Sequence, residues 1–537
     1  MEDTQGPART GRAAKKMSVA TAASRGIGFV RVWVIAAVLG TTYLGNTYQS
    51  SNSVSNILFE LVAAGALSAV LVPTFAERFR HDDQAEAERL ASGVLGFALL
   101  VMGVVAVVGM IFAPAIARLL SSGNSNHAIE QQQVELSTFL LRFMIPQVLL
   151  YAVGTVATAV LFAQRRFVVV AMAPIANTVV IVAVMLVFQA MHGDGGGLQL
   201  TLAEKLVLGI GATLGVIGFT GVPTYAVWRS GFKLRPRLGQ MDKKLRHLLF
   251  LSAWVALQPD VAVLLLAAMV MGNQVPGGVV AYQFCMVAFL APYAILANPI
   301  QTTILPELSH DAADGNHVHF AQRLRWALDG MVITLVPVAA AFVALARPAM
   351  DVIAPASARG DEGIFAAVLA TLGLGLFTYA TFLLLARAFY ALNDSRTPAL
   401  VAAGSALLGA GVMVVGGLAA QSDTAKVAFL GLGHASAYFV GTLVLGGILR
   451  RRLGQPFFPT MLWRILPVAA TLAILAWWIE DAIDPAGRVA TLGVLAAIGL
   501  VGGAAYLSLL RILPKRAGRL EVAFAPDDPD LAGGEVG

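Results

Sequence analysis

Charge and cysteine are what this chain has least of. Only 13% of its 537 residues are Asp, Glu, Lys or Arg, against 58% hydrophobic residues, and the mean hydropathy is +0.75. A water-soluble protein of this length needs far more polar surface, so the composition excludes a soluble globular fold and predicts an all-α, multi-pass membrane protein. The single cysteine, Cys285, lies within an apolar run. That excludes an internal disulfide and a thiolate metal cluster. No Walker A loop, HExxH, GxSxG or CxxC motif occurs in a supporting context. ATP hydrolysis and covalent catalysis therefore have no candidate residues, and neither an enzyme activity nor a cofactor is expected. The net charge of +6 sits in the links between apolar runs, where it orients a membrane protein rather than attracting nucleic acid.

What the chain does have is apolar runs of membrane-crossing length. At about 20 residues per span, they predict fourteen helices. These fall near 18–44, 48–76, 91–119, 134–162, 167–190, 203–228, 245–271, 278–306, 323–346, 363–391, 398–420, 425–449, 460–480 and 488–511. Residues 1–17 form a basic tail. Arg25 and Arg31 interrupt the apolar core that a cleavable signal peptide would need, so a retained first helix is expected. Lys and Arg concentrate in the tail, at Arg165-Arg166, in the link 229–246, at Arg323 and Arg325, at Arg396, at Arg450-Arg451-Arg452 and at Lys515-Arg516. With fourteen spans and both termini cytoplasmic, all of these fall on the cytoplasmic side of a plasma membrane, and Arg347 and Arg359 are the exceptions.

Two segments recur. Val72-Pro73-Thr74-Phe75-Ala76-Glu77 is similar to Leu305-Pro306-Glu307-Leu308, and Phe162-Ala163-Gln164-Arg165 to Tyr390-Ala391-Leu392-Asn393-Asp394. Both pairs are separated by six predicted helices. The expected organisation is therefore two six-helix lobes, 18–228 and 247–449, around a central cavity. A linker at 229–246 joins them, two extra helices follow at 450–513, and 514–537 form a cytoplasmic tail. Repeats of this kind place a substrate site at their interface and move against each other.

The first span concentrates the chemistry. Each arginine inside a membrane-length segment costs roughly 2.5–3.5 kcal/mol on insertion scales, and Arg25 and Arg31 both lie there. They are separated by about 9 Å of helical rise, with Gly26 and Gly28 leaving room between them. They are expected to face a wet internal cavity that receives an anion. For Arg25, the alternative is a side chain reaching back to the headgroups.

Ser24-Arg25-x-x-Gly28-Phe29-x-Arg31, Ala64-Gly65-Ala66-Leu67-Ser68 with Val72-Pro73, and Ile304-Leu305-Pro306-Glu307-Leu308-Ser309 resemble signatures of the MurJ (MviN) family. So does the block from Arg387 to Pro398, Arg-Ala-Phe-Tyr-Ala-Leu-Asn-Asp-Ser-Arg-Thr-Pro. The resemblance spans essentially the whole chain. It implies a lipid II flippase of the multidrug/oligosaccharidyl-lipid/polysaccharide exporter superfamily, which carries an undecaprenyl-pyrophosphate-linked peptidoglycan precursor from the cytoplasmic to the outer leaflet in cell-wall synthesis. It also implies that Ser24, Arg25 and Arg31 are candidate cargo contacts, with Arg387, Asp394 and Pro398 in a gate or structural motif. Other positions depart from the family pattern: Val32, Asn46, Ala64 and Val287 stand where charged residues are usual, and Phe59 and Glu60 where an arginine pair is.

Asn46, Asn52 and Asn56 make a polar stripe that either lines the outer part of the cavity or bonds neighbouring helices; Asn46 is counted with the cargo contacts. Glu60 and Asp260 are the deep acids, each an ion-pair partner or a coupling site for a proton or sodium. Membrane potential is a further source of coupling. Expected partners are the lipid-linked oligosaccharide cargo, membrane lipids and cell-wall synthesis proteins. Two other readings stay open. One is a flippase for another polyprenyl-linked glycan or a cation-coupled drug antiporter; the other is a transport-inactive scaffold for cell-wall synthesis.

Overall fold

The computed structural model describes residues 26–59, 84–124, 126–164, 166–193, 197–237 and 259–512. The first half of the described chain is α1 (Gly26–Leu39), α2 (Tyr43–Phe59), α3 (Gln84–Ile111), α4 (Ala113–Ser121), α5 (His127–Met144), α6 (Gln147–Ala163), α7 (Phe167–His192) and α8 (Leu202–Arg229). The second half is α9 (Pro259–Gly272), α10 (Gly278–Pro292), α11 (Asn298–Ala313), α12 (His317–Ala344), α13 (Ala346–Ile353), α14 (Glu362–Leu374), α15 (Leu376–Ala391), α16 (Arg396–Ala419) and α17 (Asp423–Leu453). It ends with α18 (Leu462–Ile483) and α19 (Arg488–Ile512).

Among the described residues, ten helices are long and apolar enough to cross a membrane, or eleven if α14 and α15 count as one bent span. Consecutive helices α5–α6 and α10–α11 each make one of these spans, while α1 and the apolar part of α9 are shorter. The expected spans at 48–76 and 245–271 lie partly outside the described residues. The fold is thus all-α and multi-pass.

Proline and glycine explain where predicted runs break. The run at 91–119 is two helices, because the chain turns at Phe112 and Pro114 occupies the first turn of α4, where its missing N–H costs nothing. Between α10 and α11, residues Tyr293–Ala297 form one π-helical turn flanked by Pro292 and Pro299. Each proline withdraws an N–H from the helical ladder, and a π-turn absorbs the mismatch. The run at 363–391 bends by 44° between α14 and α15. Gly375 stands at that bend, so near α17 that an added Cβ would meet Ala435 Cα at 2.9 Å.

Helices pack within two groups. In the first half α7 lies on α8, α8 on α6, and α6 on α3; in the second, α17 packs against α14, α15 and α16, and α16 against α9. Lipid tails compete equally well for apolar side chains, so close backbone approach is what holds such helices together. Gly409 and Gly433 show it: a Cβ on Gly409 would stand 2.4 Å from the Gly433 carbonyl oxygen. The last helix, α19, touches little besides α13 and α18.

The two groups meet at the end of the bundle bearing the α1–α2 link. Trp33 Nε1 donates to Ile353 O at 3.0 Å, Ser357 Oγ to Ala36 O at 3.0 Å, and Thr41 Oγ1 to Asp361. Asn273 Nδ2 donates to Ser50 Oγ and to Leu120 O, both at 2.9 Å.

Candidate functional site

Beyond those contacts a cavity of about 350 Å³ lies within the first group, beside α10 of the second. Five helices of the first group wall it, together with α10 of the second. α1 contributes Gly28, Arg31, Val32 and Ile35, which recur at helical spacing on one face. α2 adds Tyr48, Gln49, Asn52, Ser53 and Asn56; Tyr151 comes from α6; Asn177 and Thr178 follow Pro174 on α7; and Gln283 and Val287 come from α10. Gln283 Nε2 donates to Ser53 Oγ at 3.0 Å, closing the wall between the groups.

Among the described residues, Arg31 is the one charged residue on this lining. Its Nη1 donates to Asn177 Oδ1 at 2.9 Å, while its Nε is buried with no hydrogen-bond partner among the described residues. No carboxylate lines the cavity or pairs with Arg31 among those residues. A half-buried guanidinium without a counter-ion is costly. Its planar fork suits two oxygens of one phosphate or carboxylate. The surrounding amides and hydroxyls offer further hydrogen bonds to a polar anionic ligand.

The other expected residues divide into three groups. Ser24, Arg25 and Glu60 lie outside the described residues. Asp260 is carried at the start of α9, and its side chain is outside them as well. Asn46 lies off the cavity lining. It is fully buried, its Nδ2 donates to Val275 O at 2.7 Å and Gly272 O at 3.2 Å, and its Oδ1 accepts from Val279 N at 3.0 Å and Val280 N at 3.4 Å. One side chain thereby satisfies backbone groups on both sides of the α9–α10 break. Asn52 and Asn56, from the same polar stripe, do line the cavity.

Arg387 Nη2 donates to Asn298 Oδ1 at 3.3 Å, tying α15 to α11. Asp394 accepts from the Thr397 N–H at 3.0 Å and hydroxyl at 2.8 Å, and from Arg452 Nη1 at 2.8 Å. Burial alone would raise its carboxyl, but these hydrogen bonds outweigh burial and hold it below the usual carboxylate range. Pro398 is buried in the first turn of α16. This motif starts α16 and fastens it to the end of α17. None of its three residues lines the Arg31 cavity.

Tyr48, Gln49, Tyr151, Asn177 and Gln283 escaped the sequence reading. The legible signal was a polar residue in mid-run, strongest for Asn177, which sits between Pro174 and a long apolar stretch.

A larger cavity, about 1090 Å³, opens among α12, α13, α14 and α18 and carries Arg347, Asp351, Glu480, Asp481 and Asp484. Burial and the nearby Glu362 raise the Asp351 carboxyl, against Arg347 and Arg488. Four acids and one arginine make it a poor receptor for an anion. Among the described residues, no three His, Cys, Asp or Glu side chains are placed to hold a metal ion together.

The family model described as "Lipid II flippase MurJ" matches residues 35–495; Arg31 falls just before the matched span. A lipid II flippase MurJ of Burkholderia cenocepacia is 26% identical over 535 residues, covering 94% of this chain and 97% of that protein. A probable lipid II flippase MurJ of Rhizobium tropici is 24% identical over 383 residues, covering 71% and 70%. Among solved structures, a lipid II flippase MurJ in an inward closed conformation superposes with a TM-score of 0.69 at 18% identity, covering 92% of this chain and 98% of that one. An inward-facing multidrug resistance MATE family transporter of the MOP superfamily gives 0.63 at 13% identity, with 80% and 94% covered. At those identities the structures establish a shared fold.

Proposed function

The chain belongs to the family of the lipid II flippase MurJ, and from that membership we infer that it is a flippase for lipid II, the polyprenyl-pyrophosphate-linked precursor of peptidoglycan. It is a transporter, not an enzyme, and works in the membrane during cell-wall synthesis. The observation that carries the reading is Arg31: a cation without a carboxylate partner among the described residues, set in a polar cavity walled by the first helix group and α10. Such a cavity favours an anionic cargo over a cationic drug, because a cation would meet like charge on entering.

In this reading Arg31, with Ser24 and Arg25 from the same span, holds the pyrophosphate while the lipid tail stays in the bilayer. A cavity of about 350 Å³ takes a pyrophosphate more readily than a disaccharide with its peptide. The lobes therefore separate to admit the whole headgroup. Alternating access follows if cargo stabilises one arrangement of the lobes more than the other. A charge crossing a 100 mV potential contributes about 2.3 kcal/mol, enough to bias that equilibrium; a proton or sodium ion acting at Glu60 or Asp260 is the other source of coupling. Arg387, Asp394 and Pro398 serve as gate and scaffold.

The fourteen-span arrangement belongs to the same proposal: lobes at 18–228 and 247–449, a linker at 229–246, two further helices, and both termini cytoplasmic. Separate packing of the two helix groups and the distribution of Lys and Arg support it.

Complementation provides the test. A host depleted of its own lipid II flippase should grow when this chain is expressed and should fail with Arg31→Ala at equal membrane abundance. Failure of the unaltered chain, correctly inserted, would remove the assignment.

A further inference from the structure

A second cavity in the first helix group, about 880 Å³, lies where α8 ends and the linker between the groups begins. Its apolar wall is Leu95 and Leu99 of α3 with Val153 of α6. Beside them Gly221 of α8 faces open space, since a Cβ added there meets nothing within 4 Å. The mouth carries Tyr225 and Trp228, whose rings stand 5.8 Å apart and are 57% and 73% exposed. Paired, exposed aromatic rings at the end of a spanning helix mark the headgroup level of a bilayer.

The rim is built rather than loose. From Phe232 to Arg235 exposure alternates, and Pro236 is exposed like Arg237. Phe232 is buried and Leu234 half-buried, while Lys233, Arg235 and Arg237 are exposed. An extended segment with that pattern turns its cations to one side. Its backbone is fixed on α3: Arg237 N donates to Ser92 O at 3.1 Å, Arg235 N to Ser92 Oγ at 3.2 Å, and Ser92 Oγ to Lys233 O at 3.5 Å. Gly96 permits this approach, since a Cβ there would stand 2.3 Å from the Arg237 carbonyl oxygen. Lys233, Arg235 and Arg237 form no ion pair among the described residues.

We propose that this groove is a binding site for an anionic glycerophospholipid of the surrounding leaflet. Its phosphate rests between Lys233 and Arg235, and an acyl chain lies along Leu95, Leu99 and Val153 in the space beside Gly221. A basic rim over an apolar slot, at headgroup depth, matches a lipid's two chemistries at once. A free phosphate would use only the rim. Because the rim is also the first stretch of the linker, an occupied groove fixes the point from which the second helix group is tethered.

Native mass spectrometry of the intact chain, titrated with phosphatidylglycerol or phosphatidylcholine, tests the site without any lipid II, so its outcome is separate from that of the flippase assignment. Phosphatidylglycerol should bind saturably and more tightly than phosphatidylcholine. Lys233→Gln with Arg235→Gln should weaken it about 25-fold, roughly fivefold for each basic residue. Gly221→Leu, which fills open space and removes a helix glycine, should also displace the lipid. Arg450→Gln with Arg451→Gln removes the same charge from exposed positions at the end of α17 and should leave binding unchanged. Equal loss in that control, undiminished binding to Gly221→Leu, or no preference between the two lipids would overturn the proposal.

Discussion

Replacing Asn46 with alanine separates a structural role from a cargo-binding one. The residue is fully buried, and its carboxamide makes three contacts of good length: to Val275 O at 2.7 Å, to Gly272 O at 3.2 Å and from Val279 N at 3.0 Å. Alanine leaves all three backbone groups buried without those partners. At about 1 kcal/mol for each hydrogen bond lost, destabilisation should be roughly 3 kcal/mol. Asn46→Asp should keep the acceptor to Val279 but lose both donors and bury a charge, so it should be at least as damaging. The assay is the thermal midpoint of the purified chain in detergent, read alongside lipid II binding at a temperature where both proteins are folded. The midpoint should fall with binding retained. An unchanged midpoint with lost binding would refute the structural role and return Asn46 to the cavity.

Three further outcomes follow from the geometry. Asp394 titrates below the ordinary carboxylate range in the folded chain, so its stabilisation is complete above that range and is lost as pH falls through the lowered value. Asp394→Asn should flatten the acid limb of a stability–pH profile; because Arg452 is 43% exposed, the effect at neutral pH should be about 1 kcal/mol or less. Gly409→Val should drive α16 from α17, since the first added carbon already stands 2.4 Å from Gly433 O, and should cost about 3 kcal/mol, read as lost folded yield. Cys285 is completely buried and its Sγ donates to Phe365 O at 3.2 Å; it should resist maleimide in the folded protein and react on denaturation.

Much of this was legible in the sequence because membranes penalise polarity so heavily. The apolar runs gave the all-α, multi-pass class, and the cost of a buried charge singled out Arg31, which the structure sets on a cavity wall. Position along a run did not say what a polar side chain would meet. Asn46, Asn52 and Asn56 looked alike, yet Asn46 satisfies carbonyls exposed by the break between α9 and α10, a break that depends on how two distant segments pack. Asn177 was passed over because a single amide in an apolar run is tolerated without comment. The π-turn after Pro292 and the bend at Gly375 were equally hidden: both are local answers to tertiary contacts, in a chain with 53 glycines.

The central claim is that positive charge on α1 receives the pyrophosphate. The direct measurement is lipid II binding to the purified, reconstituted chain and to Arg31→Gln, with Arg31→Lys as the charge-conserving comparison. Gln should weaken binding by about tenfold or more, as expected for losing a charge-assisted, bidentate contact, and Lys should recover part of it. Equal affinity in all three proteins would contradict that claim.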